Sequence, residues 1–276
     1  TSVRGAYGVF YETVNADIIQ NTSQPFRYTF NINAPQNLVD PLAGQPPIPL
    51  SVNMRDPAFV GIQQLFYPDS SLRTPYVQHY NLNVQHEVVK DLSVQVAYVG
   101  KGGRKLLMGM TTNPGVPTPG IPLTAATLDQ RRIIQPFGVL NRISSLANSS
   151  YNAMQLEVNK RFGRGFSLKG AYAFSRSIDM ASATALGAAV PYIFNLRTQI
   201  GVSDFQAKHI ASFSWIWNLP GLKAAPSAVR GLLGNWQANG LVTTRSGLPV
   251  NIVIGRDTAL SGTSNQRPNV VGEHRL

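Results

Sequence analysis

The stretch YNAMQLEVNKRFGRGFSLKGAYAFS, Tyr151 to Ser175, decides the fold, because two alternating runs flank one tight basic turn. Asn152, Met154, Leu156 and Val158 fall on one face, and Gln155, Glu157, Asn159 and Arg161 on the other. That period of two suits a strand and is incompatible with a helix. After Gly163-Arg164-Gly165 the alternation restarts, with Phe166, Leu168, Gly170, Tyr172 and Phe174 against Ser167, Lys169, Ala171 and Ser175. The result is a hairpin with one aromatic, apolar side and one polar side. A soluble sandwich turns such an apolar side inward. A membrane barrel turns it towards lipid and keeps the polar side on a wet lumen.

Composition narrows the choice. Charged residues make up 13% of the 276 residues and hydrophobic ones 43%, whereas soluble domains carry about a quarter charged residues. No run approaches the roughly 20 continuous apolar residues of a spanning helix. Strands that show apolar side chains at every second position reconcile the two facts. The formal charge of +11 comes from residues placed singly or in pairs such as Arg131-Arg132 and Lys160-Arg161. Without a basic block, nucleic acid is not an expected partner. The lack of cysteine excludes disulfides and thiolate metal sites. The start at Thr1-Ser2, with neither an initiator Met nor an apolar signal segment, reads as an internal piece or a processed product.

Outward from the hairpin, the same alternation recurs at Val3 to Glu12, Tyr76 to Val88, Leu92 to Tyr98, Lys208 to Asn218 and Trp236 to Val242. Val250, Ile252 and Ile254 extend the last strand or begin another. Irregular, Pro- and Asn-rich excursions separate some strands: Thr13 to Pro75, Gly100 to Asn148, and Arg176 to about Phe205. A short helix is expected within Leu123 to Ile134. The remaining connections are Lys90-Asp91, the Gly163 turn and a medium stretch after Asn218. Long and short connections thus alternate, which a sandwich has no reason to do. Outer-membrane barrels have long extracellular loops and short periplasmic turns. Trp217 and Trp236 fall at the short-turn end, and Tyr11, Tyr80, Tyr98 and Phe174 towards the other, as two interfacial girdles require. The fold class expected is all-β: an antiparallel up-and-down meander, a segment of a transmembrane β-barrel occupying residues 1–276.

Four stretches carry a resemblance: RTPYVQHYNLNVQHEVVKDLSVQVAYVGKGGRKL (Arg73 to Leu106), LDQRRIIQPFGVLNRI (Leu128 to Ile143), SSYNAMQLEVNKRFGRGFSLKGAYAFSRSID (Ser149 to Asp179) and NWQANGLVTTRSGLPVNI (Asn235 to Ile252). In order and spacing they resemble the barrel of Oar-like TonB-dependent outer-membrane receptors. That family carries a carboxypeptidase-regulatory-like module, a plug and a barrel of about 22 strands. The resemblance implies uptake of a large extracellular solute across the outer membrane of a Gram-negative-type cell, driven by the TonB complex. It also implies contact with outer-membrane lipid and lipopolysaccharide. The chain departs from the family in having no TonB box, no plug and no terminal aromatic strand, since it stops at Glu273-His274-Arg275-Leu276. By resemblance it is a middle-to-late part of the barrel, with about seven strands, too few to close. A surface adhesion protein using the barrel as an anchor is the alternative from another class. A soluble basic β domain binding nucleic acid is a weaker third.

Little in the sequence points to catalysis. Gly100-Lys101-Gly102-Gly103-Arg104-Lys105 lacks phosphate-loop spacing. His79, His86, His209 and His274 lack metal-ligand spacing, and no Ser, His and Asp set sits in a nucleophile context. No enzyme activity and no cofactor are expected. Asn21-Thr22-Ser23 and Asn148-Ser149-Ser150 match a glycosylation sequon and read as ordinary loops. Arg131 and Arg132, in the second long excursion, are candidates for contact with an anionic ligand or lipopolysaccharide, against the plainer reading of a solvated loop. Gln155, Glu157, Asn159, Arg161 and Lys169 are candidates for the lumen wall, in contact with a plug or a passing solute. The plainer reading is that they only keep the lumen wet.

Overall fold

The structure, a computed structural model, describes residues 1–13, 39–40, 65–163, 165–182, 195–219, 226–227, 236–263, 266–269 and 271–272. Most of the first excursion, Arg164 in the central turn, the small-residue run after Ser182 and most of the connection after Leu219 lie outside these residues, as does the Asn21 sequon. The strands are β1 (Ser2–Tyr11), β2 (Leu65–Pro68), β3 (Tyr76–Val89), β4 (Leu92–Thr111), β5 (Leu140–Gly163), β6 (Phe166–Asp179), β7 (Gly201–Val202), β8 (His209–Asn218) and β9 (Gln237–Arg245). Seven of them form one antiparallel path, β1-β3-β4-β5-β6-β8-β9, with β2 added to β5 and β7 to β6. Among the described residues the sheet is open: β1 pairs only with β3 and β9 only with β8.

The opening hairpin pairs as its alternation requires, Met154 opposite Phe174 and Glu157 opposite Ala171. At the β3-β4 turn Asp91 takes φ +65°, a left-handed conformation that aspartate tolerates, and its N–H donates to Glu87 at 3.0 Å. Gly165 has φ +79°, and a Cβ there would stand 2.9 Å from the Asn218 carbonyl oxygen, so only glycine closes this turn without strain.

Both strands flanking the second excursion run further than their alternation indicates. β4 continues to Thr111 and β5 starts at Leu140, so much of the expected Gly100 to Asn148 loop is sheet. The Asn148 sequon therefore lies within a strand. In this extension the period of two fails for a physical reason. Met108, Met110 and Ala147 are buried and pack with Leu106, Met180 and Leu196. A strand covered on both faces reads as a continuous apolar run.

Two further corrections concern the loops. The end of the first excursion forms β2, which pairs in parallel with β5 from Leu65↔Leu140 to Pro68↔Ile143. It takes up the edge of β5 beyond the last β6 pair, Ser149↔Asp179, where backbone groups would otherwise lack partners. The expected helix within Leu123 to Ile134 is reduced to one 3-10 turn, Asp129–Arg131. Val250, Ile252 and Ile254 join no strand; the Ile254 N–H instead donates to the Gln266 carbonyl at 2.8 Å.

Candidate functional site

The register sorts side chains onto two faces across the whole sheet. One row runs Val3-Val84-Val96-Leu156-Tyr172-Ala211, and another runs Val94-Val158-Gly170-Phe213-Val242. Most of these side chains stay open: Val3, Leu82, Val96, Met154, Leu156, Phe213 and Val242 are all exposed. A continuous apolar face of this extent is unusual on a soluble monomer and marks contact with lipid or another apolar surface. Tyr7, Tyr80 and Tyr98 cross one end, where Tyr80 and Tyr98 both donate to Asn152 Oδ1, at 3.2 and 2.7 Å. Trp215, Trp217 and Phe166 cross the other, with Trp236 beside them.

The spacing of the two belts fits a bilayer. Roughly ten residue steps separate Phe166 from Arg176 on β6, and ten steps at about 3.3 Å with a tilt near 40–45° rise about 24 Å. Apolar bands of outer-membrane barrels are about 25 Å tall. The tips of β4 and β5 extend past this band into the packed Met108 region.

The opposite face carries four of the five lumen candidates in consecutive rows. Gln155 lies in the row Arg4-Asn83-Ala97-Gln155-Ala173, and Glu157 in the next, Ser2-Gln85-Gln95-Glu157-Ala171-Ser212. Asn159 stands opposite Lys169, whose ammonium pairs with Glu157 Oε1 at 3.1 Å across the strands. Arg161, at the turn end, lines a hollow of about 270 Å³ with Gln85, Glu87, Asp91 and Ser93. A second hollow of about 250 Å³ touches Gln95, Gln155, Glu157 and Ser212. Both are smaller than the roughly 300 Å³ at which ligand pockets begin. Ile210, Ile216 and Leu241 are apolar exceptions on this face near β8 and β9.

The structure places Arg131 and Arg132 elsewhere than on a solvated loop surface. Arg131 is 1% exposed and Arg132 8%. Arg131 Nη2 donates to the carbonyls of Thr124 (3.0 Å) and Leu260 (2.9 Å), while Arg132 pairs with Asp129 at 2.7 Å and donates to the Asn113 carbonyl at 2.7 Å. Asn113, fully buried, donates to three carbonyls, those of Ile134, Phe137 and Gly138, and accepts from the Ile134 N–H. These contacts fold the β4-β5 connection onto the segment around Leu260, joined further by Gly115 N–H to the Ser261 carbonyl. Asp257 closes that segment. Burial pushes its carboxyl up, but the N–H groups of Ser261 and Gly262 and the Gln266 side chain outweigh this and hold it below the ordinary aspartate range.

Sequence reading missed a further buried polar set at the β6 edge. Gln206 accepts from the Ser177 N–H at 2.7 Å and donates to the Ser175 carbonyl at 2.6 Å, so one side-chain amide replaces a strand residue. Ser203 adds a hydroxyl bond to Ser177 at 2.8 Å. A lone glutamine in a loop carries no periodic signal, and none in the sequence pointed to it.

The chain was compared with protein families, curated proteins and solved structures. Residues 1–276 match the family described as outer membrane β-barrel domain. No curated protein matches the sequence. Among solved structures, the outer membrane transporter YddB from Escherichia coli is similar at 11% identity and a TM-score of 0.37, over 57% of this chain and 20% of the transporter chain. The similarity thus spans about a fifth of that protein's length.

Proposed function

The chain belongs to the outer membrane β-barrel domain family and resides in the outer membrane; from that premise we propose that it is barrel wall of a TonB-dependent receptor that takes up a large solute. The observation that carries the reading is the inverted sheet: an exposed apolar face bounded by tyrosine and tryptophan belts, backed by a polar face. Strands β3-β4 and β5-β6 join through tight turns at the tryptophan end, while long connections leave the tyrosine end. In this reading the tyrosine end faces the exterior and the tryptophan end the periplasm. Gln155, Glu157, Asn159, Arg161 and Lys169 then face the lumen, where a plug or passing solute meets them.

The packing of β2, the β4-β5 connection and the Asp257 segment favours a second reading, a surface adhesion protein whose ordered loops bind a partner and whose barrel only anchors them. One experiment separates the two. The full-length protein carrying this chain, purified in detergent, is mixed with the purified C-terminal domain of TonB. Stoichiometric binding, with a plug and TonB box encoded in the same reading frame, supports transport. No binding and no such segment overturns it in favour of the adhesin.

A further inference from the structure

Charge on the polar face is sorted by height. Beyond the row of Glu157, towards the tyrosine end, three rows follow. The first runs from Arg4 through Gln155 to Arg245, the second from Asn81 through Ala153 to Ser175, and the third through His79, Lys101 and Tyr151. Among the described residues these rows hold three permanent cations, Arg4, Lys101 and Arg245, and no carboxylate. All three cations are exposed, and none forms an ion pair among the described residues. The steps from Gln155 to Tyr151 make the band about 13 Å deep along the strand, at roughly 3.3 Å a step.

Carboxylates bound this band instead of entering it. At the turn end Glu157 pairs with Lys169, and Glu87 and Asp91 line a hollow with Arg161. At the other end, one row further on, Asp179 lies opposite Ser149 and accepts from the Ser182 hydroxyl at 3.0 and 2.9 Å. Inside the band Ala97, Ala153, Ser175 and Ser177 are small and buried, so the long cations stand above a floor of short side chains. Asn81 and Asn83 add amide donors beside them.

A band of cations and amide donors favours a solute of the opposite sign. A cationic solute is repelled there, and a neutral one is served by amides and hydroxyls alone. Charge of one sign along a low-dielectric wall concentrates counter-ions beside it, and guanidinium groups hold carboxylate and phosphate through paired N–H donors. Arg4 and Arg245 stand six strand spacings apart, about 29 Å along the sheet at roughly 4.8 Å each. A small ion therefore meets one cation at a time, whereas a long polyanion meets several. We propose that the large solute taken up along this wall is a polyanion carrying carboxylate or phosphate groups in series, with Arg4, Lys101 and Arg245 as its lumen contacts. The proposal rests on the uptake reading above and names the class of its solute.

The test uses the full-length protein in detergent micelles, with Gln155→Cys placing a thiol in the row between Arg4 and Arg245. These 276 residues hold no other cysteine, and any outside them is changed to serine. The thiol is labelled with uncharged N-ethylmaleimide, alone or with decaglutamate, a ten-unit polyphosphate or decalysine, and heat-modifiable migration reports that the barrel is folded. A polyanion is expected to slow labelling about fivefold or more and decalysine to leave it unchanged. The stronger of the two polyanions tells carboxylate from phosphate. Arg4→Gln, Lys101→Gln and Arg245→Gln together are expected to raise the polyanion concentration needed for protection about tenfold. Arg104→Gln with Arg176→Gln, on the lipid side, is expected to leave it unchanged. Equal slowing by decalysine, or none by either polyanion, overturns the proposal whatever the charge variants do. So does a thiol that the reagent cannot reach, since it lies on no solute path. An unchanged triple variant, or a loss matched by the Arg104 and Arg176 pair, overturns it as well. TonB takes no part in this assay, so its failure leaves the uptake reading to the TonB-binding experiment.

Discussion

Gly100→Ala tests the idea that the tyrosine belt is held by shape as well as by hydrogen bonding. A Cβ at Gly100 would lie 2.0 Å from Tyr80 Cε2 and 2.2 Å from Cζ, far inside contact distance. The obstructing atoms belong to the far end of a ring on two rotatable bonds, so the ring swings away and the backbone does not shift. The cost is what the ring leaves behind. It loses its hydrogen bond to Asn152, 3.2 Å long, worth about 1 kcal/mol. It also loses its contact with Tyr98, at 6.2 Å between centroids, worth about 0.5–1.5 kcal/mol. Together these predict a loss of about 2 kcal/mol.

Measuring unfolding of the full-length protein by urea in micelles gives the number, and a double-mutant cycle gives the cause. Tyr80→Phe alone removes only the hydroxyl and is expected to cost about 1 kcal/mol. On the Gly100→Ala background the same change is expected to cost nearly nothing, because the displaced ring has already lost Asn152. Simple additivity of the two changes, within the roughly 0.3–0.5 kcal/mol found for independent sites, would refute the packing argument.

Three other expectations follow from the polar sites. Gln206→Ala leaves the Ser177 N–H and Ser175 carbonyl unpaired at a buried strand edge, so amide exchange at Ser177 should quicken by about tenfold or more, while Gln206→Asn, too short by a methylene, should behave alike. Arg131→Ala removes the bonds to Thr124 and Leu260, and cleavage by added protease within the β4-β5 connection is expected to accelerate while the heat-modifiable band persists; an unchanged digestion rate would refute its role in joining the two loops. Because the Asp257 carboxyl is held below the ordinary aspartate range when folded, its contribution is fully present above that range and is lost as pH falls through the lowered value. Protease sensitivity of the Asp257 segment should therefore rise only at strongly acidic pH, and Asp257→Asn should remove that step.

The sheet was legible because lipid on one side and water on the other impose a period of two, which Met154, Leu156 and Val158 against Gln155, Glu157 and Asn159 display without interruption. The signal vanished where that asymmetry vanished. Leu106 to Met110 is apolar at nearly every position, with Met108 and Met110 buried against Met180 and Leu196, so its strand read as loop. β2 was illegible for another reason: four residues are too few for periodicity, and it forms only because β5 offers an unpaired edge. Arg131 and Arg132 were misplaced because arginine in a Pro-rich stretch is usually solvated. Nothing in the sequence shows that carbonyls of Thr124, Leu260 and Asn113 surround them.

The division between faces has a consequence for where charge can act. On the polar face Lys169 pairs with Glu157, while Arg4, Arg161 and Arg245 have no ion pair among the described residues, so that wall carries net positive charge and attracts an anion more than a cation. Of the loop cations, Arg132 pairs with Asp129, whereas Arg131 donates through Nη2 to carbonyls and has no ion pair among the described residues. Lys169→Gln, by releasing the Glu157 carboxylate, should lower that positive charge and weaken any preference for an anionic solute, which the rate of passage of anionic against cationic solutes through the full-length protein measures.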